Sequence, residues 1–514
     1  MTISLIQRAE TFSTRRAIVA QDGTFTYADL LSASARVAST LLDGVDDLVG
    51  ARVVFLVPGG FSYAATQWGI WRAGGVAVPL ALTETEREIR YKVDDTEPTV
   101  LVAHPDFAKK LRPVADEKGL RFILTTELLE DDEAGRLPDV TPDRQAMILY
   151  TSGTTSDPKG VVTTHANVEA QVTTLVEAWE WSRDDHILNH LPLHHVHGII
   201  NAMSCAFWTG ATCELMPRFD ADHIWSRIVD GDLTVYMAVP TVYKALIATW
   251  ESFSPEKQQA ASKACANLRL MISGSDALPV DTFERWEQIS GHRLLERYGM
   301  TEIGMALSNP LHGDRISGHV GMALPNVQVQ LVEFDFAAFE ETGERHYGSS
   351  AVAADQPGEL LIKGPGVFQE YWRKPEATRE AFTEDGWFYT GDIASLNPDD
   401  VYRMWGRASQ DLIISGGENV SALDVQRELL MHPDIDACAV IGVKDTFWGN
   451  AVSAAIVSRN GNAVGRDSLR KWAKGRLSPY KVPQNVILVD ELPRNAMGKI
   501  VKPKVRALFE EQMP

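Results

Sequence analysis

The chain has 514 residues, too long for one hydrophobic core, so two or more domains are expected. Hydrophobic residues make up 45% and charged residues 23%, an ordinary globular balance, and no apolar run is long enough to span a bilayer. A net charge of −20 argues against non-specific nucleic-acid binding.

The N-terminal stretch Met1 to Ala20 carries Glu10 and lacks a continuous apolar run, so it does not read as a secretory signal. Four scattered cysteines (Cys205, Cys213, Cys265, Cys438) have no paired spacing and read as buried thiols of a reducing compartment; the cytoplasm is expected. Helix and strand then alternate. Tyr27 to Leu42 has helical periodicity, Val53 to Val57 is a short apolar strand ending at Pro58-Gly59-Gly60, and a helix follows through Ala64 to Gly74. Val76 to Pro79, Val100 to Val102 and Phe122 to Leu124 are further apolar runs, and strands separated by helices imply βαβ units in a mainly parallel sheet. Residues 127–143 read as an acidic loop.

The strand Ala146 to Leu149 leads into Tyr150-Thr151-Ser152-Gly153-Thr154-Thr155-Ser156-Asp157-Pro158-Lys159-Gly160. A loop of Gly, Ser and Thr at a strand end offers N–H groups and hydroxyls to a polyanion, most naturally nucleotide phosphates. The spacing differs from the common P-loop, because Lys159 precedes Gly160. Farther on, His194-His195-Val196-His197 places three histidines within four residues. No second ligand pair stands at metal-site spacing, so this is read as a turn feeding a helix, with one imidazole facing a ligand cavity.

Val235 to Val239, Leu268 to Ser273 and the run beginning Leu294-Leu295-Glu296 are strands ending in Gly/Ser/Thr loops, as in α/β sheets that build a site at their strand ends. Residues 333–357 are polar and read as an exposed hairpin loop. From Arg407 onward the chain carries 15 Lys+Arg against 12 Asp+Glu, a weakly basic piece on an acidic body. Its own apolar strands and helices predict a separate small domain. The expected fold class is α/β: a large N-terminal domain of mainly parallel βα sheets (1–406) and a small, mobile α+β C-terminal domain (407–514).

Five stretches resemble, in order, the adenylate-forming acyl-CoA synthetase superfamily, which includes peptide-synthetase adenylation domains and luciferases. They are the loop at 150–160, Glu296 to Glu302, Trp387 to Asp392, Gly406-Arg407 with Asp411, and Pro493-Arg494-Asn495-Ala496-Met497-Gly498-Lys499. His194 to Asn201 and Leu295 to Ala306 look most like malonyl-CoA and methylmalonyl-CoA synthetases.

The resemblance implies two half-reactions, in which a small-molecule carboxylic acid attacks ATP to give an acyl-adenylate and coenzyme A then displaces AMP. It implies ATP, Mg2+ and coenzyme A as cosubstrates and cofactor. Thr151, Ser152, Gly153, Thr154, Thr155 and Lys159 would cradle phosphates. Ser275, Glu296, Tyr298, Gly299, Met300, Thr301, Asp392 and Arg407 would contact the rest of the nucleotide, Tyr298 stacking on adenine and Asp392 accepting the ribose hydroxyls. Glu302 would hold the metal and, with Thr301 and Lys499, do the catalytic work; a late-arriving lysine can bridge two anions that repel each other.

His197, Ser273, Arg297 and Gly299 would line the acid pocket, with Arg297 pairing the second carboxylate of a short dicarboxylic acid. Ser415, Gly416 and Gly417 would admit pantetheine after a domain rotation hinged at Ser409, and Arg470, Lys471, Lys474, Arg476 and Lys481 are candidates for steering its phosphates. Three departures stand out: Ser156 and Ile414 replace residues frequent in relatives, and Ala245 stands where malonyl-CoA synthetases carry a second basic residue. Lys244 lies one place earlier, a turn of about 100° on a helix, so the pattern leaves open whether it faces the pocket. A ligase for a medium-chain or aromatic monocarboxylic acid, an adenylation module loading a carrier protein, and a nucleotide-binding sensor without chemistry stay open, as does monomer against homodimer.

Overall fold

A computed structural model describes residues 3–512 apart from 131–134, 152–157, 343–344, 460–463, 474 and 495–498. Two parallel-rich sheets make the N-terminal body. The first runs Glu370–Tyr371, Lys159–Thr164, Gln145–Thr151, Val76–Pro79, Arg52–Leu56, Val100–Ala103, Arg121–Leu124. Its central strands are apolar on both faces because helices cover both, which is why they read as unbroken hydrophobic runs. The second places Leu295–Met300, Leu270–Ser273, Val235–Ala238, His186–Asn189 and Thr212–Leu215 side by side, all parallel. Leu295–Met300 then turns through Thr301 and Glu302 into the antiparallel partner Gly304–Ser308. The ends of these parallel strands carry Ser273, Ser275 and Arg297, the position where such sheets build ligand sites.

An antiparallel five-stranded sheet follows: Tyr347–Ala351, Gln328–Phe334, Gly358–Lys363, Phe388–Leu396, Tyr402–Arg407. This corrects the expectation of an exposed hairpin loop at 333–357. The stretch holds the helix Phe336–Thr342 and an edge strand, and Phe334 and Phe336 are buried with Ile393. Its polar look arises because an edge strand and a short helix each hide only one side. Leu412 and Ile414 of the C-terminal domain pack against the same cluster, which accounts for an aliphatic residue at 414.

The C-terminal domain is its own sheet, Glu418–Ser421, Leu412–Ser415, Gly449–Ser458, Ile435–Asp445, with Asn485–Leu488 added parallel to Gly449–Ser458. The helices Ala422–Leu430 and Lys502–Gln512 bury Val425, Leu429, Val505 and Phe509 against it. All four cysteines are buried and unpaired with one another. Among the described residues no helix is long and apolar enough to cross a membrane.

Candidate active site

One side of the cleft gathers oxygen ligands and cations. Asp392, on Phe388–Leu396, is buried and held at both oxygens: the Tyr298 hydroxyl donates to Oδ2 at 2.6 Å, and Arg407 Nε lies 3.1 Å from Oδ1. The Asp392 charge lifts the Arg407 pKa against the burial that lowers it. Burial raises the Tyr298 pKa, and Asp392 raises it further, so this ring keeps its proton and donates. Tyr298 is thereby anchored by its hydroxyl, leaving its ring as the surface it can offer a base.

Glu302 is buried, and its Oε1 accepts from the Tyr371 hydroxyl at 3.0 Å. Burial raises its pKa, the mark of an anion short of counter-charge. Lys159 Nζ sits over the Tyr371 ring, 4.8 Å from its centroid, so the end of the Ser/Thr/Gly loop and Glu302 meet at one tyrosine. Thr151 Oγ1 reaches the Lys159 carbonyl at 3.4 Å, tying the two ends of that loop. Ser152, Gly153, Thr154 and Thr155 lie outside the described residues.

The other side gathers buried polar atoms. Arg297 is 3% exposed, faces no carboxylate among the described residues, and its Nε and Nη2 have no hydrogen-bond partner there. Burial pushes its pKa down to about 9. A guanidinium does not surrender its proton, so that shift measures how strongly the buried cation calls for an anion. His197 opens a wide helical stretch, His197–Ser204, of the π type that recurs at functional sites. Its Nδ1 lies 3.2 Å from Ser275 Oγ, and Nε2 has no partner among the described residues. Burial first, then the Arg297 charge, keep this imidazole neutral. Ser273 Oγ is buried and unpaired within the same described set. The three-histidine run feeds a helix, and no cluster of three or more His, Cys, Asp or Glu side chains placed to hold a metal ion occurs among the described residues.

Lys244 does not turn into the pocket. It is half exposed and reaches across to the C-terminal domain, 2.8 Å from both the carbonyl and Oδ1 of Asp436. Arg297, by contrast, stays buried beside Gly274.

The C-terminal domain delivers Lys499 into the cleft. Crowding lowers its pKa although the side chain keeps solvent access; Asp276 and Asp392 pull the other way, and Arg407 and Arg297 add to the lowering. The four charges it feels, Asp276, Arg407, Asp392 and Arg297, come from both halves of the site, so the amine stands between them. Residues 495–498 of the same motif lie outside the described residues. Nearby, Lys502 pairs with Asp411 and donates to the Val440 carbonyl at 3.0 Å, fastening the last helix to the junction. Ser415 is buried, and Gly416 and Gly417 form an exposed turn. Gly416 has φ +60°, and a Cβ there would come within 3.0 Å of the Trp448 ring, so the turn needs glycine.

Several residues were not singled out from sequence. Tyr371 was missed because it lies on a two-residue edge strand, Glu370–Tyr371, with no motif texture. Asp276 looked like loop punctuation. Gly274 has the clearest role: a Cβ would fall 2.6 Å from Arg297 Cζ, so the guanidinium lies directly on this backbone. The repeated strand–Gly–Ser pattern was the signal that could have found it.

Two family descriptions match: AMP-binding enzyme over residues 5–372 and AMP-binding enzyme C-terminal domain over 424–499. A mitochondrial malonate–CoA ligase of Xenopus laevis is 42% identical, covering 99% of this chain and 92% of its own. The Homo sapiens counterpart is 43% identical over 96% and 90%. Among solved structures, ATP-bound MatB from Rhodopseudomonas palustris superposes with a TM-score of 0.89 at 32% identity, covering 100% of both chains.

Proposed function

The chain belongs to the AMP-binding enzyme family, and from that premise we propose that it is an ATP-dependent malonate–CoA ligase, releasing AMP and pyrophosphate. The observation that carries the choice of acid is the buried Arg297 guanidinium without a carboxylate partner among the described residues. A monocarboxylic acid would leave that charge buried and uncompensated, which costs several kcal/mol. A short dicarboxylate pairs it and leaves its other carboxylate toward Lys499. The malonate–CoA ligases among the relatives favour the same acid.

In this reading Thr151 and Lys159 border the phosphates, and Asp392, oriented by Tyr298 and Arg407, accepts the ribose hydroxyls. Arg297 takes the distal carboxylate, with His197, Ser273 and Ser275 as uncharged hydrogen-bonding neighbours. Lys499 offsets the repulsion between the attacking carboxylate and the α-phosphate, a contribution that appears only as charge gathers in the transition state. Glu302 fits a hard cation, being a buried oxygen donor whose raised pKa reports missing counter-charge. Held there, Mg2+ would supply charge neutralisation at the triphosphate.

For the second half-reaction the C-terminal domain, taken as 407–514, turns about Ser409. That motion withdraws Lys499 and brings in the Ser415–Gly416–Gly417 turn, where backbone without Cβ lets a thin pantetheine chain pass. Buried thiols and a reducing environment suit the cytoplasm.

Pyrophosphate release across a panel of mono- and dicarboxylic acids, with and without coenzyme A, tests this. Malonate is expected to be active, and octanoate and benzoate inactive; the reverse pattern refutes the assignment. Lys499→Ala should lower adenylate formation by about 10²–10³-fold and spare thioester formation from supplied acyl-adenylate. Equal loss in both steps would contradict the rotating-domain reading.

A further inference from the structure

The junction between body and C-terminal domain holds a second set of buried charges, adjoining the site described above. Glu296, immediately before Arg297, is 3% exposed. Its Oε1 accepts the Leu278 N–H at 3.2 Å, the Gly318 N–H also donates to the carboxylate, and Oε2 has no partner among the described residues. The charged groups facing it are Arg427, from the C-terminal helix Ala422–Leu430, and Asp276, from the loop after Leu270–Ser273. Burial pushes the Glu296 pKa up to about 7; Arg427 draws it down and Asp276 adds to the rise.

Arg427 is placed against the body: its Nη1 lies 3.7 Å from where a Cβ on Gly318 would stand. The same nitrogen lies 3.3 Å from Asp424 Oδ1, and Arg403, on the body's strand Tyr402–Arg407, reaches that oxygen at 2.6 Å. The side chains of Asp424 and Arg427 are 9% and 13% exposed. A line of alternating charge, Arg403, Asp424 and Arg427, therefore leaves the body, crosses two residues of the mobile domain, and ends at Gly318, where Arg427 faces Glu296 from beyond ion-pair distance.

We infer that Arg427 is a positioning residue for the first half-reaction, seating at Gly318 and facing buried Glu296 so that the C-terminal domain is held where Lys499 enters the cleft. The inference rests on the domain rotation proposed above. Arg403 and Glu296 precede the hinge, whereas Asp424 and Arg427 follow it, so a turn about Ser409 breaks the Arg403–Asp424 pair and carries the Arg427 charge away from Glu296 at once. Breaking a buried pair by removing one partner is costly because the other charge stays behind. The exposed Lys244–Asp436 pair on the same interface lacks that leverage, since solvent screens it.

The test separates the half-reactions in the full-length chain. Malonate-dependent pyrophosphate exchange reads the first, and thioester formation from supplied malonyl-adenylate and coenzyme A reads the second. Arg427→Met should lower the first about tenfold and leave the second within about twofold, with the malonate KM little changed. Arg427→Lys should retain most of the exchange rate. Glu296→Gln combined with Arg427→Met should cost no more than Arg427→Met alone, because the two residues act as one unit. Equal loss in both half-reactions, no loss in either, or additive losses in the double variant would overturn the inference. A wild-type chain that forms no acyl-adenylate would instead sink the proposed function, so the two failures are told apart.

Discussion

Two arginines of the cleft are built in opposite ways. Arg407 finds its carboxylate within the protein, Asp392 at 3.1 Å, and the pair is locked further by Tyr298. Arg297 is buried, 3% exposed, yet two of its nitrogens have no hydrogen-bond partner among the described residues. Arg407 carries a raised pKa and Arg297 a lowered one, and the difference is the counter-ion. A paired arginine holds a shape ready for a neutral or polar group such as a ribose. An unpaired one creates a demand that only a ligand's charge can meet.

The sharpest way to break this contrast is to remove the unpaired cation. Arg297→Met should lower kcat/KM for malonate by about 10²–10³-fold, the size expected when a buried charge pair between ligand and protein is lost. Arg297→Lys should restore little, because an ammonium cannot reproduce the planar fork. Steady-state kinetics with malonate and a monocarboxylate in parallel decide it: equal losses for both acids would show that Arg297 is structural. Arg407→Met should instead lower kcat/KM for ATP about 10- to 100-fold whichever acid is supplied, because its partner Asp392 is left buried and unpaired. An acid-selective defect there would erase the distinction.

Gly274→Ala should raise the malonate KM about tenfold with a smaller change in kcat, since the new methyl displaces a guanidinium it would touch at 2.6 Å. An unchanged KM would mean Arg297 has room to shift. The pH profile sharpens the contrast further. Burial lowers His195 to about 4 and His197 well below its usual value, so both are neutral above that range and charge only on acidification. Malonate kcat/KM should show no histidine inflection between pH 6 and 8, and His197→Asn should change its height but not its shape. An inflection abolished by that substitution would give His197 the cationic role assigned here to Arg297. The smallest effect belongs to Lys244→Ala, within about twofold, because its half-exposed pair with Asp436 is screened by water. A large rise in malonate KM would reinstate it as a second pocket cation.

Local chemistry made the parallel strands and the two-domain division legible from residue order alone. Apolar runs such as Val53 to Val57 fit a strand covered on both faces. The same logic failed at 333–357, where edge elements hide one side only and mimic a loop. What residue order could not state was which groups end up facing which. Lys244 and Arg297 are equally basic in one dimension; the helix Pro240–Glu251 turns the first outward to Asp436, while the strand Leu295–Met300 buries the second against Gly274. Tyr371 joins Lys159 to Glu302 across more than two hundred residues of chain. Such pairings depend on side-chain direction and burial, which packing alone decides, and they leave one arginine buried without a hydrogen-bond partner at two nitrogens among the described residues.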